Sequence, residues 1–426
     1  MRSLTAFIIR KSLFGFAVAA IIIAGAVTSC TSMQQHEGGL PEPEDAERLM
    51  TAWLDIPQCR IVGVAGNRDD GWMVACNTFP VRREPYGVLA HISPGGTVLN
   101  TITLKGRSLE LRSILKLHDG NYLIAGTDSP TYRDRQMSEI RQLDTLTDPI
   151  TGETFTVTND ISAKFVVWKL TPDGETIWQQ NYRNNKSDVS DNFLCSAIET
   201  PENELVFVGT EMPENNDYAI RVLRTDRNGE PVSDTTYAPF GNLLCDYAIL
   251  LPDSEILIGG TVNAIHYESA RTVLMKIGAG GEVLWSRKYD EHGSEILYSM
   301  VLTNDGALVI AGRSYDEDGN SLAMLKKVDE DGRELWIRLY DAEVFNAVAS
   351  TGDGTILVTS KEFVMEIDDE GKVLRQLRPG GLKVLEIATV QSLDDNLILL
   401  AGSATPSEKE GGEYKGAQGF ITIIRR

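Results

Sequence analysis

The segment from Ser294 to Tyr340 carries the pattern that most constrains how this chain folds. Short apolar runs alternate with turn residues about every six to ten positions, as strands joined by hairpins require. Two landmarks recur along the chain. One is a strand that ends in a small residue and Gly, and the other is Asp-Gly or Asn-Gly followed by Trp four residues after the Gly. A single four-stranded sheet of this kind cannot bury both faces, so neighbouring copies must cover one another.

The chain contains seven copies of this pattern. The turn glycines Gly229 and Gly281 are 52 residues apart, Gly281 and Gly332 are 51 apart, and Gly332 and Gly371 are 39 apart, so the sixth copy is short. Such periods are typical of propellers, and the segments lack the 3.6-residue periodicity of a helical solenoid. The sequence therefore predicts an all-β fold, a seven-bladed β-propeller, and six or eight blades stay open because the count is uncertain by one. Blade one is Cys59–Gly106, blade two starts near Arg107, and blades three, four, six and seven contain Glu204–Gly209, Glu255–Gly260, Thr355–Thr359 and Asn396–Gly402.

The two ends of the repeated region complement each other. The last copy stops after its third strand, Phe420–Ile424, whereas Arg48–Ile56 precedes blade one and belongs to no copy. Trp53 in that segment matches the tryptophans of other fourth strands. We therefore predict that the N-terminal segment supplies the missing outer strand of blade seven, which closes residues 48–426 into one ring.

The Asp-Gly-x-x-x-Trp pattern resembles the repeats of the PQQ-like propeller superfamily. This superfamily includes quinoprotein dehydrogenases and an outer-membrane assembly lipoprotein, and the resemblance covers most of residues 50–426. It implies the fold far more than an activity. A quinoprotein dehydrogenase also needs a calcium site and quinone-contacting residues, which we cannot locate, so we predict no cofactor.

The N-terminus has the organisation of an export signal, predicted as residues 1–29. Basic Arg2, Arg10 and Lys11 precede a 15-residue apolar run, Leu13–Val27. That run is short for a bilayer span, although a signal anchor that stays uncleaved is the alternative. Val27-Thr28-Ser29-Cys30 resembles the lipobox of bacterial lipoproteins, which implies lipidation of Cys30. The alternative is an ordinary cysteine near a conventional cleavage site.

Composition restricts the partners and the location. Polar residues 30–47 predict a flexible, lipidated tether without a share in the core. The net charge is −21, and it becomes −24 after residue 29 because three basic residues and no acidic residue precede that point. So acidic a surface argues against nucleic-acid binding. We expect an exported protein attached through Cys30 to the bacterial cell membrane, on the periplasmic side of the outer membrane if the host has one.

Blade two carries an insertion, Asp128–Ser162, between its second and third strands. Within it, Tyr132–Leu146 fits a short helix and Pro149–Thr158 fits a hairpin. Long loops in compact domains are commonly functional or disordered. A lid or docking surface and a tolerated decoration both remain open.

Four cysteines follow Cys30, and we predict buried free thiols for all of them. Cys59 is expected about four residues from the cross-strand partner of Cys76, too far for a bridge. Cys195 and Cys245 are offset by one residue in neighbouring first strands, which predicts side chains on opposite faces of their sheets.

The sequence offers no catalytic or metal-binding residues. Asp316–Asn320 is predicted to be a hairpin loop, because Ser321 and Lys327 occupy the sixth and twelfth positions where an EF-hand requires Gly and Glu. Thr171–Trp178 approaches a sialidase Asp box, but its Asp and Gly fit a tight turn and its Trp fits packing between blades. Nucleophile-elbow, phosphate-loop and dinucleotide motifs are also missing. The five histidines are scattered and form no zinc motif: His36, His91, His118, His266 and His292.

These observations favour a non-enzymatic, membrane-anchored cell-envelope lipoprotein that binds or scaffolds a protein or an envelope polymer. The alternative is a propeller enzyme, either a quinone-type dehydrogenase or a sugar or lactone hydrolase, with its site at the channel mouth. A third hypothesis is a sensor domain that signals to a membrane partner.

Overall fold

Strands and turns dominate the described part of the computed structural model. The description covers residues 35–37, 40–56, 58–79, 85–130, 146–147, 154–155, 162–183, 190–212, 218–263, 269–290, 293–315, 319–394, 396–405 and 417–426. Its strands form seven four-stranded antiparallel sheets, two of which gain a fifth strand, and one separate hairpin. The all-β class and the seven-bladed propeller are confirmed.

The strands group by blade as the sequence predicts. Blade one contains β4 Cys59–Asn67, β5 Gly71–Thr78, β6 Tyr86–Ile92 and β7 Val98–Leu104, and blade two contains β8 Leu109–Lys116, β9 Tyr122–Asp128, β12 Lys164–Leu170 and β13 Thr176–Tyr182. Blade three contains β14 Asp191–Glu199, β15 Leu205–Met212, β16 Ala219–Thr225 and β17 Pro231–Tyr237, and blade four contains β18 Leu243–Leu250, β19 Ile256–Val262, β20 Arg271–Ile277 and β21 Val283–Lys288. Blade five contains β22 Ser294–Leu302, β23 Leu308–Tyr315, β24 Ser321–Val328 and β25 Glu334–Tyr340, and blade six contains β26 Ala347–Ser350, β27 Ile356–Thr359, β28 Val364–Ile367 and β29 Val373–Pro379. Blade seven contains β30 Lys383–Asp394, β31 Leu397–Thr405, β32 Gln418–Arg425 and β3 Arg48–Leu54, and the short strands are β1 Gln35–Glu37, β2 Glu44–Ala46, β10 Leu146–Thr147 and β11 Thr154–Phe155.

The first strands of the seven blades surround a central channel. Each contacts the first strand of the next blade, and β30 contacts β4, so the ring is closed. Because strands alternate in direction, the connections between blades and those between second and third strands lie at one face, here called the upper face. The first-to-second and third-to-fourth turns lie at the opposite, lower face.

The small-residue-Gly landmark marks a β-bulge in the first strand. The second strand continues past the Gly, and opposite it the first strand carries one extra, unpaired residue. A Cβ on Gly260 would lie 2.2 Å from the Leu244 carbonyl oxygen, and one on Gly402 would lie 2.0 Å from the Glu386 carbonyl oxygen. The glycine therefore lets the bulged strand approach its neighbour. The extra residues opposite a glycine are Arg112, Cys195, Asp246, Tyr298 and Ala388; in blade one Cys76 takes the place of the glycine, and the extra residue is Val62.

The Asp-Gly-x-x-x-Trp landmark joins neighbouring blades. In Thr171–Trp178, the segment that is similar to an Asp box, the Gly174 N–H donates to the Thr171 carbonyl at 2.9 Å, which closes a tight turn. The Trp packs on the next blade's turn, since a Cβ on Gly332 would lie 2.7 Å from the Trp285 ring. The predicted turn and inter-blade packing are confirmed. In blades two to five, a tyrosine eight residues after the turn glycine adds a bond that the sequence did not predict: the hydroxyls of Tyr182, Tyr237, Tyr289 and Tyr340 donate to the carbonyls of Gly229, Gly281, Gly332 and Gly371 at 2.8, 2.5, 2.6 and 2.6 Å.

The N-terminal segment closes the ring as predicted. β3 pairs antiparallel with β32, and Trp53 lies opposite Phe420 with ring centroids 6.4 Å apart. Leu54 is 1% exposed and belongs to a core cluster shared with blade one. The prediction that this segment completes blade seven is confirmed.

The residues before β3 differ from the expected tether. β1 pairs in parallel with β25, and β2 pairs in parallel with β29, which lengthens blades five and six by one strand each. Ala46 is buried in a core cluster, and the Gln376 side-chain amide donates to the Pro41 carbonyl at 2.8 Å. These contacts are largely main-chain contacts, which a polar sequence does not reveal. The assignment of residues 1–29 and 30–47 as separate segments stays a prediction.

The described part of the blade-two insertion contains one hairpin. Leu146 pairs with Phe155, and Thr147 pairs with Thr154. A hairpin is therefore present, as predicted, but its first strand lies before Pro149 and so outside the predicted range Pro149–Thr158. Of the helix predicted at Tyr132–Leu146, residues 132–145 lie outside the described residues and Leu146 is in a strand.

The prediction of four free thiols is wrong for one pair. Cys195 and Cys245 form a disulfide between blades three and four, with Cα atoms 6.2 Å apart. In a propeller, one face of each sheet packs against the opposite face of the next sheet. The one-residue offset puts the two cysteine side chains on these two facing surfaces, so it brings them together. Cys59 and Cys76 are buried free thiols, as predicted. Their offset is two residues instead of four, because Ile61 is the partner of Cys76.

Candidate functional site

Four large apolar side chains are exposed at the upper face and along the upper channel. Phe79 follows the second strand of blade one, and Phe240 lies in the connection between blades three and four. Tyr298 and Leu385 lie in the first strands of blades five and seven. They are 40–43% exposed. These positions are not equivalent in the repeat, so the repeated architecture does not account for them; they are called the upper apolar set.

A second group of exposed aliphatic side chains follows the repeat itself. One lies near the start of each outer strand, and six of the seven lie three residues after a turn glycine. This lower apolar ring is Leu49, Leu99, Ile177, Val232, Leu284, Leu335 and Leu374. Its members are spread over the seven blades, and only in blade four is a second exposed aliphatic side chain, Val283, adjacent; such scattered exposure is normal for a surface.

The polar groups of the lower face are also paired within the repeat. A basic residue near the end of a third strand binds an acid at or next to the first turn of the same blade. The pairs are Lys169–Asp119 at 2.6 Å, Arg224–Glu204 at 3.4 Å, Lys276–Glu255 at 2.5 Å and Lys327–Asp305 at 2.8 Å. These lower-face charges are therefore paired within their own blades, and the upper face is the better candidate for a binding surface.

The bulges place chemically distinct side chains on the channel wall. Arg112, Asp246 and Tyr298 occupy the same bulge position in blades two, four and five. Arg112 is paired with Glu110 at 3.0 Å, and its side chain is 49% exposed in the middle of a first strand. Because first strands form the inner ring, such exposure shows that water reaches the channel wall at this level.

Asp246 is the most perturbed group of this wall. The Thr261 hydroxyl donates to its Oδ2 at 2.5 Å. Close packing in the channel wall raises the pKa of the Asp246 carboxyl to about 7, and the Thr261 bond and the more distant Arg112 charge oppose this only in part. At neutral pH the carboxyl is therefore poised between its charged and neutral forms.

Two links between blades fix this part of the wall. The Cys195–Cys245 disulfide precedes Asp246 directly. Tyr247 and Ser299, the residues that follow the bulges of blades four and five, are hydrogen-bonded to each other. Asp246 and Tyr298 therefore occupy neighbouring positions at the same height in the channel.

Arg313 and Tyr315 lie above this level in blade five. The Arg313 Nη1 donates to the Tyr315 hydroxyl at 3.2 Å, and its guanidinium lies 5.9 Å from the centre of that ring. Glu343 pairs with Arg313 at 3.5 Å and also with Lys361. This cluster adds aromatic and charged groups to the upper face.

The residues singled out from the sequence do not form a reaction centre in the described part of the chain. Cys30, His266, His292 and residues 316–318 lie outside the described residues. His91 lies in β6, whereas His118 lies in a turn, where its Nδ1 is 3.5 Å from Glu199. Tyr315 pairs with Ser321, as a hairpin loop between them requires. Within the described ranges no three His, Cys, Asp or Glu side chains are grouped to hold a metal ion, and no helix is long and apolar enough to cross a membrane.

Comparison with solved structures supports the fold. The chain is similar to the WD40 domain of Pan2 from Neurospora crassa, with 10% identity, a TM-score of 0.53, and coverage of 90% of this chain and 97% of the other. It is similar to the propeller of Dos1, with 10% identity, a TM-score of 0.51, and coverage of 90% and 95%. Sqt1 from Chaetomium thermophilum has 11% identity, a TM-score of 0.50, and coverage of 89% and 100%. No family model and no curated protein sequence matches the chain.

Proposed function

We propose that this protein is an exported lipoprotein, anchored to the bacterial membrane through Cys30, whose propeller binds an envelope protein or polymer through its upper face. The observation that carries the proposal is the upper apolar set, which exposes two phenylalanines, a tyrosine and a leucine at positions the repeat does not explain. Aromatic side chains are enriched where proteins bind partners.

Sequence features support the proposed cellular location and the assignment to the PQQ-like propellers. The basic residues, the short apolar run and the lipobox-like Val27–Cys30 support export and lipidation. The Asp-Gly-x-x-x-Trp repeats support a place among the PQQ-like propellers. The insertion of blade two, whose described hairpin belongs to a connection at the upper face, offers additional surface there. Nothing specific in the described residues favours the enzyme alternative.

The docking proposal is tested by affinity capture of the lipidated protein from its own envelope in mild detergent. The wild type is compared with Phe240→Ser on the upper face and with Leu284→Ser on the lower apolar ring, which is a matched loss of one exposed apolar side chain. A stoichiometric partner that is lost with Phe240→Ser and kept with Leu284→Ser supports the proposal. Equal capture by all three proteins, or no partner for any of them, contradicts it.

The anchor is tested separately. Cells that express the wild type or Cys30→Ser are fed an alkyne-labelled fatty acid, and the purified proteins are examined for the label. Label on the wild type and none on Cys30→Ser is the expected result. Equal labelling of both, or of neither, contradicts the assignment of Cys30.

A further inference from the structure

The channel wall contains a carboxylate, that of Asp246, that does not stabilise the fold through an ion pair among the described residues. In the described structure, the hydrogen-bonding partner of Asp246 is the uncharged hydroxyl of Thr261. Arg112, the cation that influences it, is engaged with Glu110 at 3.0 Å. A half-buried carboxylate without an adjacent cation costs stability, so its presence calls for a partner that arrives from outside.

The neighbouring bulge supplies an aromatic surface at the same height. Tyr298 is 40% exposed to the channel, and the bond between Tyr247 and Ser299 holds the two bulges side by side. A carboxylate beside an accessible aromatic ring is suited to an organic cation, which gains an ion pair and a cation–π contact together. The charge of −24 on the part after residue 29 also attracts basic partners.

We propose that the channel binds one cationic side chain, an arginine or lysine of a basic protein segment, between the Asp246 carboxylate and the Tyr298 ring. This inference rests on the proposed function and adds the chemistry of the partner that the upper face receives. The disulfide that precedes Asp246 fixes the wall against which the cation would rest. Phe79 and Phe240 are exposed at the same upper face and would contact the residues that flank the cationic side chain.

The charge of the site depends on pH, and two arginines face it: Arg112 on the side of Asp246, and Arg313, which interacts with the Tyr298 hydroxyl and is itself paired with Glu343 at 3.5 Å. Arg112 comes from blade two and is held by Glu110, and the disulfide from blades three and four does not titrate. Tyr247 stays neutral, since burial raises the pKa of its hydroxyl. A carboxyl with a pKa of about 7 is roughly one-tenth ionised at pH 6 and nine-tenths ionised at pH 8.

Calorimetric titration of the purified full chain in mild detergent tests the proposal. The probes are acetyl-Gly-Arg-Gly-amide and its citrulline counterpart, which keeps the shape of arginine and removes the charge. The arginine peptide is expected to bind roughly tenfold more tightly at pH 8 than at pH 6, and the citrulline peptide is expected not to bind. Equal binding of both peptides, or no binding of the arginine peptide at pH 8, overturns the proposal.

Variants assign the binding to the two residues. Asp246→Asn is expected to weaken the arginine peptide at least tenfold at pH 8 and to remove the pH dependence, while Tyr298→Leu weakens it roughly twofold to fivefold. Asp253→Asn removes the same charge from an exposed lower turn and is expected to change nothing. Equal effects of Asp246→Asn and Asp253→Asn would reduce the binding to general charge attraction and overturn the site.

The two proposals fail separately. Capture of a partner through the upper face without any binding of the arginine peptide overturns the channel site and leaves the proposed function standing. Peptide binding that depends on Asp246, without capture of an envelope partner, contradicts the proposed function and retains the site.

Discussion

Single residues at the bulges decide both the shape of each blade and the lining of the channel. The glycine of the second strand removes the Cβ that would otherwise meet a carbonyl oxygen of the first strand. The extra residue that this allows lies fourteen residues before the glycine in each case, as Arg112 does before Gly126 and Asp246 before Gly260. One backbone feature therefore places a different side chain from each of these blades at one level.

Gly260→Ala tests the steric role of the bulge glycine. The added Cβ would lie 2.2 Å from the Leu244 carbonyl oxygen, so the strand must shift, and we expect a loss of about 2 kcal/mol or more in the free energy of unfolding. Denaturant unfolding measures it. Gly95→Ala is the control, because a Cβ there meets nothing closer than 4.0 Å. Equal stability of the two variants would show that the bulge tolerates a side chain.

Asp246 should also leave a pH-dependent signature in stability. Because the pKa of Asp246 is about 7 in the folded state, above the ordinary 3.8 of an aspartate, the folded state binds more protons than the unfolded state between these values. Stability should therefore fall as pH rises from about 4 to 7. Asp246→Asn removes this decline, so the variant should melt at the wild-type temperature near pH 4 and at a higher temperature at pH 8. A lower melting temperature at pH 8 would contradict the raised pKa.

Contacts between neighbouring blades also follow the repeat, most fully after blades two to five. At the outer edge, a fourth-strand tyrosine donates to the turn glycine of the next blade. Near the channel, the serine after a bulge accepts an N–H from the next first strand, as Ser196 does from Ala248 at 2.9 Å and Ser299 from Val348 at 3.4 Å. Where both bonds occur, as between blades three and four, the two sheets are joined at their inner and outer edges, with the apolar core between.

Tyr289→Phe tests the outer bond. It leaves the Gly332 carbonyl without its 2.6 Å partner in a buried position, and we expect a loss of about 1–3 kcal/mol. Thermal and denaturant unfolding are the measurements. Tyr218→Phe, at a half-buried tyrosine, should change stability by less than about 0.5 kcal/mol. A Tyr289→Phe protein as stable as this control would show that the bond does not stabilise the fold.

The elements show what a sequence can and cannot predict. Glycine spacing and the Trp of fourth strands were sufficient for the blade count, and Trp53 was sufficient for the closing strand, because these residues serve local turns and packing. The disulfide was missed because its prediction requires knowing that facing sheets expose opposite faces to one another. β1 and β2 were missed because they pair through the backbone. Asp246 was also missed, although aligning the first strands on the glycine landmark would have placed it beside Arg112 and Tyr298.

At the scale of the whole molecule, the ring depends on its N-terminal strand. β3 covers β32, and its Ala52 and Leu54 are 3% and 1% exposed within the core shared by blades seven and one. Removal of residues 1–54 should therefore abolish cooperative thermal unfolding followed by circular dichroism, because two blades lose their shared core. Removal of residues 1–39 deletes β1 but keeps β3 and should preserve a cooperative transition. A cooperative, folded protein without residues 1–54 would show that closure is dispensable.

The whole molecule also has two faces of different character. The lower face pairs charges within four of its blades and exposes aliphatic side chains at repeated positions, whereas the upper face exposes side chains that the repeat does not demand. The central claim is that partners bind at the upper face.

Site-specific photo-crosslinking in living cells tests this claim most directly. The photo-reactive p-benzoylphenylalanine replaces Phe240 at the upper face in one protein and Leu284 at the lower apolar ring in another. We expect a discrete covalent adduct from position 240 after illumination and none from position 284. An adduct from position 284 alone would place the partner on the lower face and contradict binding at the upper face.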